Sequence, residues 1–253
     1  MRQSPDFLLI SQAAAAAFAA VRLLHFSLRR YFPVLLSYLL LIVASSLVFS
    51  FLSATSGAYY WAYLTYEPVY WVVGSLAVRE MFALIFRDYP GLRTAGRWAI
   101  YTSIALSVAV FLLIREVPRS GPTRAHLLLD ELILDRWIVF SLAIVIVVLM
   151  MFLTRYPLDL DRNAYVASGF FSAMFVADAA VKLIDSLSLH LYTGYVDDGE
   201  VVFTSLCFVG WGVMLNAIGT KRPVRAEINN LRETELLHQL DSLNGILSRS
   251  VRW

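Results

Sequence analysis

The stretch Tyr59–Arg87, YYWAYLTYEPVYWVVGSLAVREMFALIFR, decides the fold class. It is long and apolar, crowded with Tyr and Trp at its first end, and carries Glu67 directly before Pro68. At a helical rise of ~1.5 Å per residue, Glu67 lies ~12 Å below Tyr59, well inside a hydrocarbon core ~30 Å thick. Arg79 and Glu80 fall ~30 Å below Tyr59, at the opposite boundary, so the helix projects past the bilayer before Tyr89-Pro90-Gly91 ends it. This is a membrane-spanning helix with a carboxylate at membrane depth.

The composition agrees. Of the 253 residues, 59% are hydrophobic and 16% charged, where a soluble domain carries about 25% charged residues. A single cysteine, Cys207, excludes a disulfide framework or a cysteine metal cluster. The formal net charge is only +2, and the arginines are scattered at segment ends, which excludes a nucleic-acid-binding arm.

Working outward, the sequence predicts an all-α polytopic bundle of seven transmembrane helices: Phe7–Leu24, Tyr31–Phe51, Tyr59–Phe86, Trp98–Ile114, Trp137–Leu153, Ala164–Leu183 and Val201–Thr220. The first is alanine-rich and could pass for a signal peptide. Its removal would leave Arg22, Arg29 and Arg30 outside, so it reads as a helix. Alternate loops collect Arg22, Arg29 and Arg30; Arg87, Arg93 and Arg97; Arg155 and Arg162; and Lys221, Arg222 and Arg225. The opposite loops hold the uncharged Ala54–Ala58 and the acidic Asp197, Asp198 and Glu200. The positive-inside rule then puts the N-terminus outside and the C-terminus in the cytoplasm of a bacterial inner membrane. The loop Arg115–Arg136 is the exception, with four arginines balanced by Glu116, Asp130, Glu131 and Asp135. Pro118, Gly121 and Pro122 break it, and HLLLDELILDRW follows as an interfacial amphipathic helix or an upward extension of the fifth span.

Residues 1–220 thus form the membrane domain and 221–253 a cytoplasmic tail. In the tail, Leu236, Leu240, Leu243 and Leu247 repeat with heptad spacing. They suit self-association or docking of a protein partner, while Arg249, Arg252 and Trp253 would suit a helix folded back on the lipid surface.

Polar groups at membrane depth are the functional pointers, because each costs free energy that something must offset. Pro68 has no N–H, so the carbonyl of Leu64 loses its intrahelical partner beside the Glu67 carboxylate, an arrangement that suits proton or sodium binding. Asp178, Lys182 and Asp185 share one face of the sixth helix, in its outer third. Gly169, Ala173 and Ala177 form a small-residue ridge on the other side. An Asp178–Lys182 pair completed by Glu67 would neutralise itself and staple the helices, at ~2.5–3.5 kcal/mol of insertion cost per unpaired charge. The same three residues with Tyr63, Tyr66, Tyr70 and Trp71 outline a candidate pocket for a lipid, quinone or pigment. A lysine near Asp178 invites comparison with retinal proteins, but a further helix follows and Lys182 lies near the outer boundary, which argues against retinal. His25, His126, His190 and His238 lie at boundaries or outside the spans, and no catalytic or metal motif occurs.

FRDYPGLRTAGRW at Phe86–Trp98, after the aromatic helix with Glu67, resembles the third-helix exit of a group of uncharacterised bacterial seven-helix membrane proteins. That resemblance implies the topology and a short leucine-rich cytoplasmic helix, and it implies no activity. The sequence therefore points to a non-catalytic sensor or scaffold. The alternative is a transport or electron-transfer accessory subunit with Glu67 handling a proton or cation. No cofactor can be named.

Overall fold

The computed structural model describes residues 6–53, 56–115, 123–156, 160–187, 193–216, 223–224 and 230–250. Among them are eight α-helices: α1 (Asp6–His25), α2 (Pro33–Phe51), α3 (Gly57–Ile85), α4 (Pro90–Arg115), α5 (Thr123–Arg155), α6 (Arg162–Leu187), α7 (Thr193–Met214) and α8 (Asn230–Ser250). A 3-10 turn at Leu28–Arg30 joins α1 to α2, and two-residue strands β1 (Leu160–Asp161) and β2 (Pro223–Val224) pair antiparallel. Pro118, Gly121, Pro122, Lys221, Arg222, Arg225, Arg252 and Trp253 lie outside the described residues.

Six of these helices are long and apolar enough to cross a membrane: Phe7–His25, Pro33–Phe51, Gly57–Ile85, Pro90–Leu113, Leu129–Arg155 and Arg162–Asp185. The seventh expected span is not among them. Asp197, Asp198 and Glu200 occupy the first turns of α7, its apolar remainder to Met214 rises only ~21 Å, and residues 217–220 lie outside the described set. Two other boundaries move. α4 starts at Pro90, two turns before Trp98, because proline is well suited to a first helical turn where its missing N–H is no loss. HLLLDELILDRW is the upper part of α5, continuous with the fifth span. α3 runs unbroken through Pro68.

Neighbours in sequence are neighbours in space from α1 to α7, and α7 closes the ring against α1. α3 is drawn inward and also meets α5 and α6, which makes it the interior helix. The short connections make neighbouring helices antiparallel, so Arg22, Arg29, Arg30, Arg87, Arg93, Arg155 and Arg162 gather at one end of the bundle. The core between the helices holds Tyr38, Leu35, Leu39, Leu142, Ile146, Phe171, Phe208 and Trp211. The outer faces are equally apolar: Phe51 is 85% exposed, Leu113 75% and Met151 66%. A surface of that kind is stable when lipid is the solvent.

Close approaches are made by glycines and by polar clamps at helix ends. A Cβ on Gly74 would stand 3.3 Å from Phe175, and one on Gly210 2.5 Å from Phe170. Gly169 faces open space, so the Gly169–Ala173–Ala177 ridge is not the contact expected of it; the tightly buried stripe of α6 runs through Ala167, Phe171, Phe175 and Asp178 instead. Phe32 offers no side-chain cap to α2, and the free N–H groups of Val34 and Leu35 donate to Glu80 of α3 at 3.0 and 2.9 Å. A carboxylate there satisfies two orphan donors and meets the positive end of the helix dipole. Asn163, at the start of α6, donates to the Asn216 carbonyl (2.6 Å) and accepts from its N–H (3.3 Å). Arg22 Nε donates to the Gly212 carbonyl at 2.8 Å, tying α1 to α7.

The tail is bound to its own bundle. α8 lies against α4, Leu240 is fully buried and Leu236 nearly so. Gly91 N–H, in the first turn of α4, donates to Asn244 Oδ1 at 2.7 Å. A side chain at Gly91 would collide with the Asn244 carbonyl, 2.6 Å from the position of its Cβ. Of the four leucines suited to a heptad seam, Leu236 and Leu240 are thus taken up within the chain, while Leu243 and Ile246 face outward.

Candidate functional site

Three helices converge on Lys182. Its ammonium, on α6, contacts Asp178 Oδ1 one turn earlier (3.3 Å) and Asp135 Oδ2 of α5. Trp71 Nε1, on α3, donates to the other oxygen of Asp135 at 2.9 Å. This bond ties the cluster to α3. Trp71 stands halfway along α3, while Lys182 is five residues before the end of α6. Arg136, the residue after Asp135, pairs through Nη2 with Asp185 Oδ2, about one turn past Lys182, at 2.7 Å and locks α5 to α6 a second time.

The sequence expectation joined Asp178 and Lys182 to Glu67. The partner that completes the pair is Asp135 instead, a residue read as one of several balancing charges in a loop. Glu67 lies close by, one helical turn before Trp71, and feels the charges of Asp135, Lys182, Glu131 and Asp178. Glu200 of α7 feels Asp178, Lys182, Asp197 and Asp135. Glu131, one turn before Asp135 on α5, is 7% exposed, and neither of its carboxyl oxygens has a hydrogen-bond partner among the described residues. Two carboxylates thus contact the Lys182 ammonium, and three further carboxyl groups lie within electrostatic range of it. At an effective dielectric of ~20, two ionised carboxylates ~6 Å apart repel by roughly 3 kcal/mol. Carboxyl groups held ionised together in one field repel one another, and protons relieve that repulsion.

The aromatic residues divide into two sets. Tyr63, Glu67 and Trp71 recur every fourth residue on α3, and Trp71 binds the cluster. Tyr66 and Tyr70 lie on the α2 side: the Tyr70 hydroxyl is 3.0 Å from that of Tyr38, and Tyr38, Tyr66, Tyr70, Phe49 and Phe171 pack ring against ring at 5.6–5.8 Å. Tyr63 touches Phe49 only at 6.5 Å. These rings are largely spent on one another, as the packing of a buried seam requires.

Among the described residues, no three His, Cys, Asp or Glu side chains converge closely enough to chelate a metal ion. The acids are spread around Lys182 over four helices, which suits protons bound singly better than an ion bound by all. The sequence signal that could have found Asp135 and Glu131 is their four-residue spacing on one face of a strongly apolar helix, once the loop is read as helix.

No protein-family model, curated protein or solved structure matches this chain.

Proposed function

We propose that this multi-pass membrane protein is a non-catalytic, seven-helix sensor whose polar core takes up and releases protons. The single observation that carries this reading is the excess of acid around Lys182: Asp135 and Asp178 contact its ammonium, Glu67, Glu131 and Glu200 lie within its field, and Glu131 is buried with no hydrogen-bond partner among the described residues. Protons are the charge that such an interior exchanges most readily with water. The arginine-rich end lies in the cytoplasm and the chain in a bacterial inner membrane, as the arginine distribution supports.

A chain of contacts leads from this core to the tail. α3 carries Trp71 and, three turns later, Phe82, which sits against Gly96 of α4. The first turn of α4 in turn holds Asn244 of α8. A shift of α3 on proton uptake would therefore bear on the tail, and Leu243 and Ile246 are the apolar side chains α8 offers to a protein partner or a second copy.

The test is infrared spectroscopy of the purified chain in lipid across the pH range. A protonated-carboxyl C=O band that disappears as pH rises is expected, diminished in Glu131→Gln and in Glu67→Gln. If no protonated carboxyl is seen at any pH near neutrality, the reading fails. The same imbalance also supports proton-coupled transport. Proteoliposomes separate the two, because a sensor gives no pH-gradient-driven flux and a carrier loses its flux in Glu67→Gln.

A further inference from the structure

At the arginine-rich end, α3 and α4 leave a cavity of about 260 Å³ lined by Arg79, Phe82, Ala83, Arg93, Thr94 and Arg97. Its geometry follows from one close contact. A Cβ on Gly96 would stand 2.2 Å from the Phe82 ring, so only glycine lets that ring seat on the α4 backbone. The ring pins the helices together, and the three guanidinium groups are held around the pin. Arg93 and Arg97 are one turn apart on the same face of α4.

None of these arginines is paired with a carboxylate among the described residues. Glu80, the nearest acid in sequence to Arg79, has both oxygens committed to the N–H groups of Val34 and Leu35. Arg79 donates one N–H to the Tyr101 hydroxyl at 3.1 Å, which leaves most of its five donors unused. The Thr94 hydroxyl donates to the Pro90 carbonyl. Three like charges around one hollow repel each other, and an oxyanion between them removes the repulsion and matches the planar donor forks.

The surface next to the cavity identifies the source of that anion. On α3 the exposed side continues from Arg79 to Leu76 and Val72, and on α4 from Arg97 to the exposed Tyr101. The basic hollow thus opens onto an apolar face. We propose that this cavity is a binding site for the phosphate headgroup of an anionic phospholipid, with the acyl chains lying along the exposed faces of α3 and α4. The volume holds a phosphodiester and its first substituents, and arginines at the helix ends stand at headgroup depth.

The test is native mass spectrometry of the full chain released from detergent with phosphatidylglycerol, cardiolipin or phosphatidylcholine at equal concentration. Either anionic lipid should be retained one to one in preference to phosphatidylcholine. Arg93→Gln with Arg97→Gln should lose that retention by about tenfold or more, given two charge-assisted contacts removed. Arg87→Gln, at the same end but outside the lining, should retain it. Arg93→Lys with Arg97→Lys keeps the charge without the forks and should fall between, which separates loss of the site from loss of the fold. Equal retention of phosphatidylcholine, or an equal loss in Arg87→Gln, would overturn the site. Stabilisation by millimolar inorganic phosphate without lipid retention would overturn the lipid assignment.

Discussion

Replacing Lys182 with methionine removes its positive charge from the polar core while keeping the length of the side chain. Methionine fills the aliphatic path but leaves Asp178, 3.3 Å away in the native chain, and Asp135 facing an apolar group. At an effective dielectric of ~20, an ion pair at that distance is worth ~5 kcal/mol before desolvation is counted. The lysine itself is largely desolvated, which returns part of this, and breaking one side of a buried pair costs ~3–5 kcal/mol net. In a chain of this size each kcal/mol moves the melting temperature by ~2–4 °C, so the variant should melt roughly 6–20 °C lower. The deficit should shrink as pH falls, because protons on the carboxyl groups then supply the missing positive charge, and it should grow as pH rises and those protons leave. Tryptophan-fluorescence melting in detergent at several pH values measures both. Adding Asp135→Asn to the lysine variant should recover part of the loss, since one stranded charge goes with it. A Lys182→Met protein that melts like the native chain at neutral pH, or whose deficit is flat with pH, refutes the electrostatic account of the cluster.

Other contacts give narrower expectations. Asn244→Ala removes the cap that α8 supplies to α4, a loss of ~1 kcal/mol, and limited proteolysis should cut the tail faster; an unchanged cleavage rate means the tail is held by something else. Glu80→Gln leaves one carbonyl oxygen for two N–H donors and removes the charge at the start of α2, so stability should drop by ~1–2 kcal/mol, read by the same melting assay.

Much of the architecture was legible because a hydrocarbon solvent imposes simple rules. Apolar length marks spans, and arginines mark ends. Six helices meet those rules. The rules weaken where a helix carries charge: α7 begins with three carboxylates, and the apolar length left after them is too short to be recognised as a span. The start of α5 was ambiguous for a related reason. Four acids and four arginines around Arg115–Arg136 look like a solvated loop, although Glu131 and Asp135 are buried and Asp135 is bound by Trp71 of α3 and Lys182 of α6. The face of α6 that carries Asp178 and Lys182 could be read from spacing, since both residues lie on one helix. Their partner could not, because which of Glu67, Asp135 or Glu200 comes nearest depends on the rotation of three separate helices. The burial of Leu236 and Leu240 was equally hidden: heptad spacing specifies an apolar stripe and says nothing of whether the surface it meets belongs to the same chain.

Whether the Lys182 cluster is a staple or a site turns on stoichiometry more than on distance. A staple needs one acid for each base, and the bundle has a close ion pair of that kind in Arg136–Asp185, at 2.7 Å between α5 and α6. Around Lys182 the ratio is different. Asp178 and Asp135 contact the ammonium, and Glu67, Glu131 and Glu200 are brought into the same field from three different helices. Each of these extra acids costs free energy to bury and adds repulsion, so packing alone would favour an amide or an apolar residue at all three positions. Glu131 makes the point most directly, since its oxygens gain no hydrogen bond in return among the described residues. An interior that carries three acids beyond the two in contact with Lys182 can hold variable amounts of charge. That capacity is what a proton-responsive core requires and a staple does not.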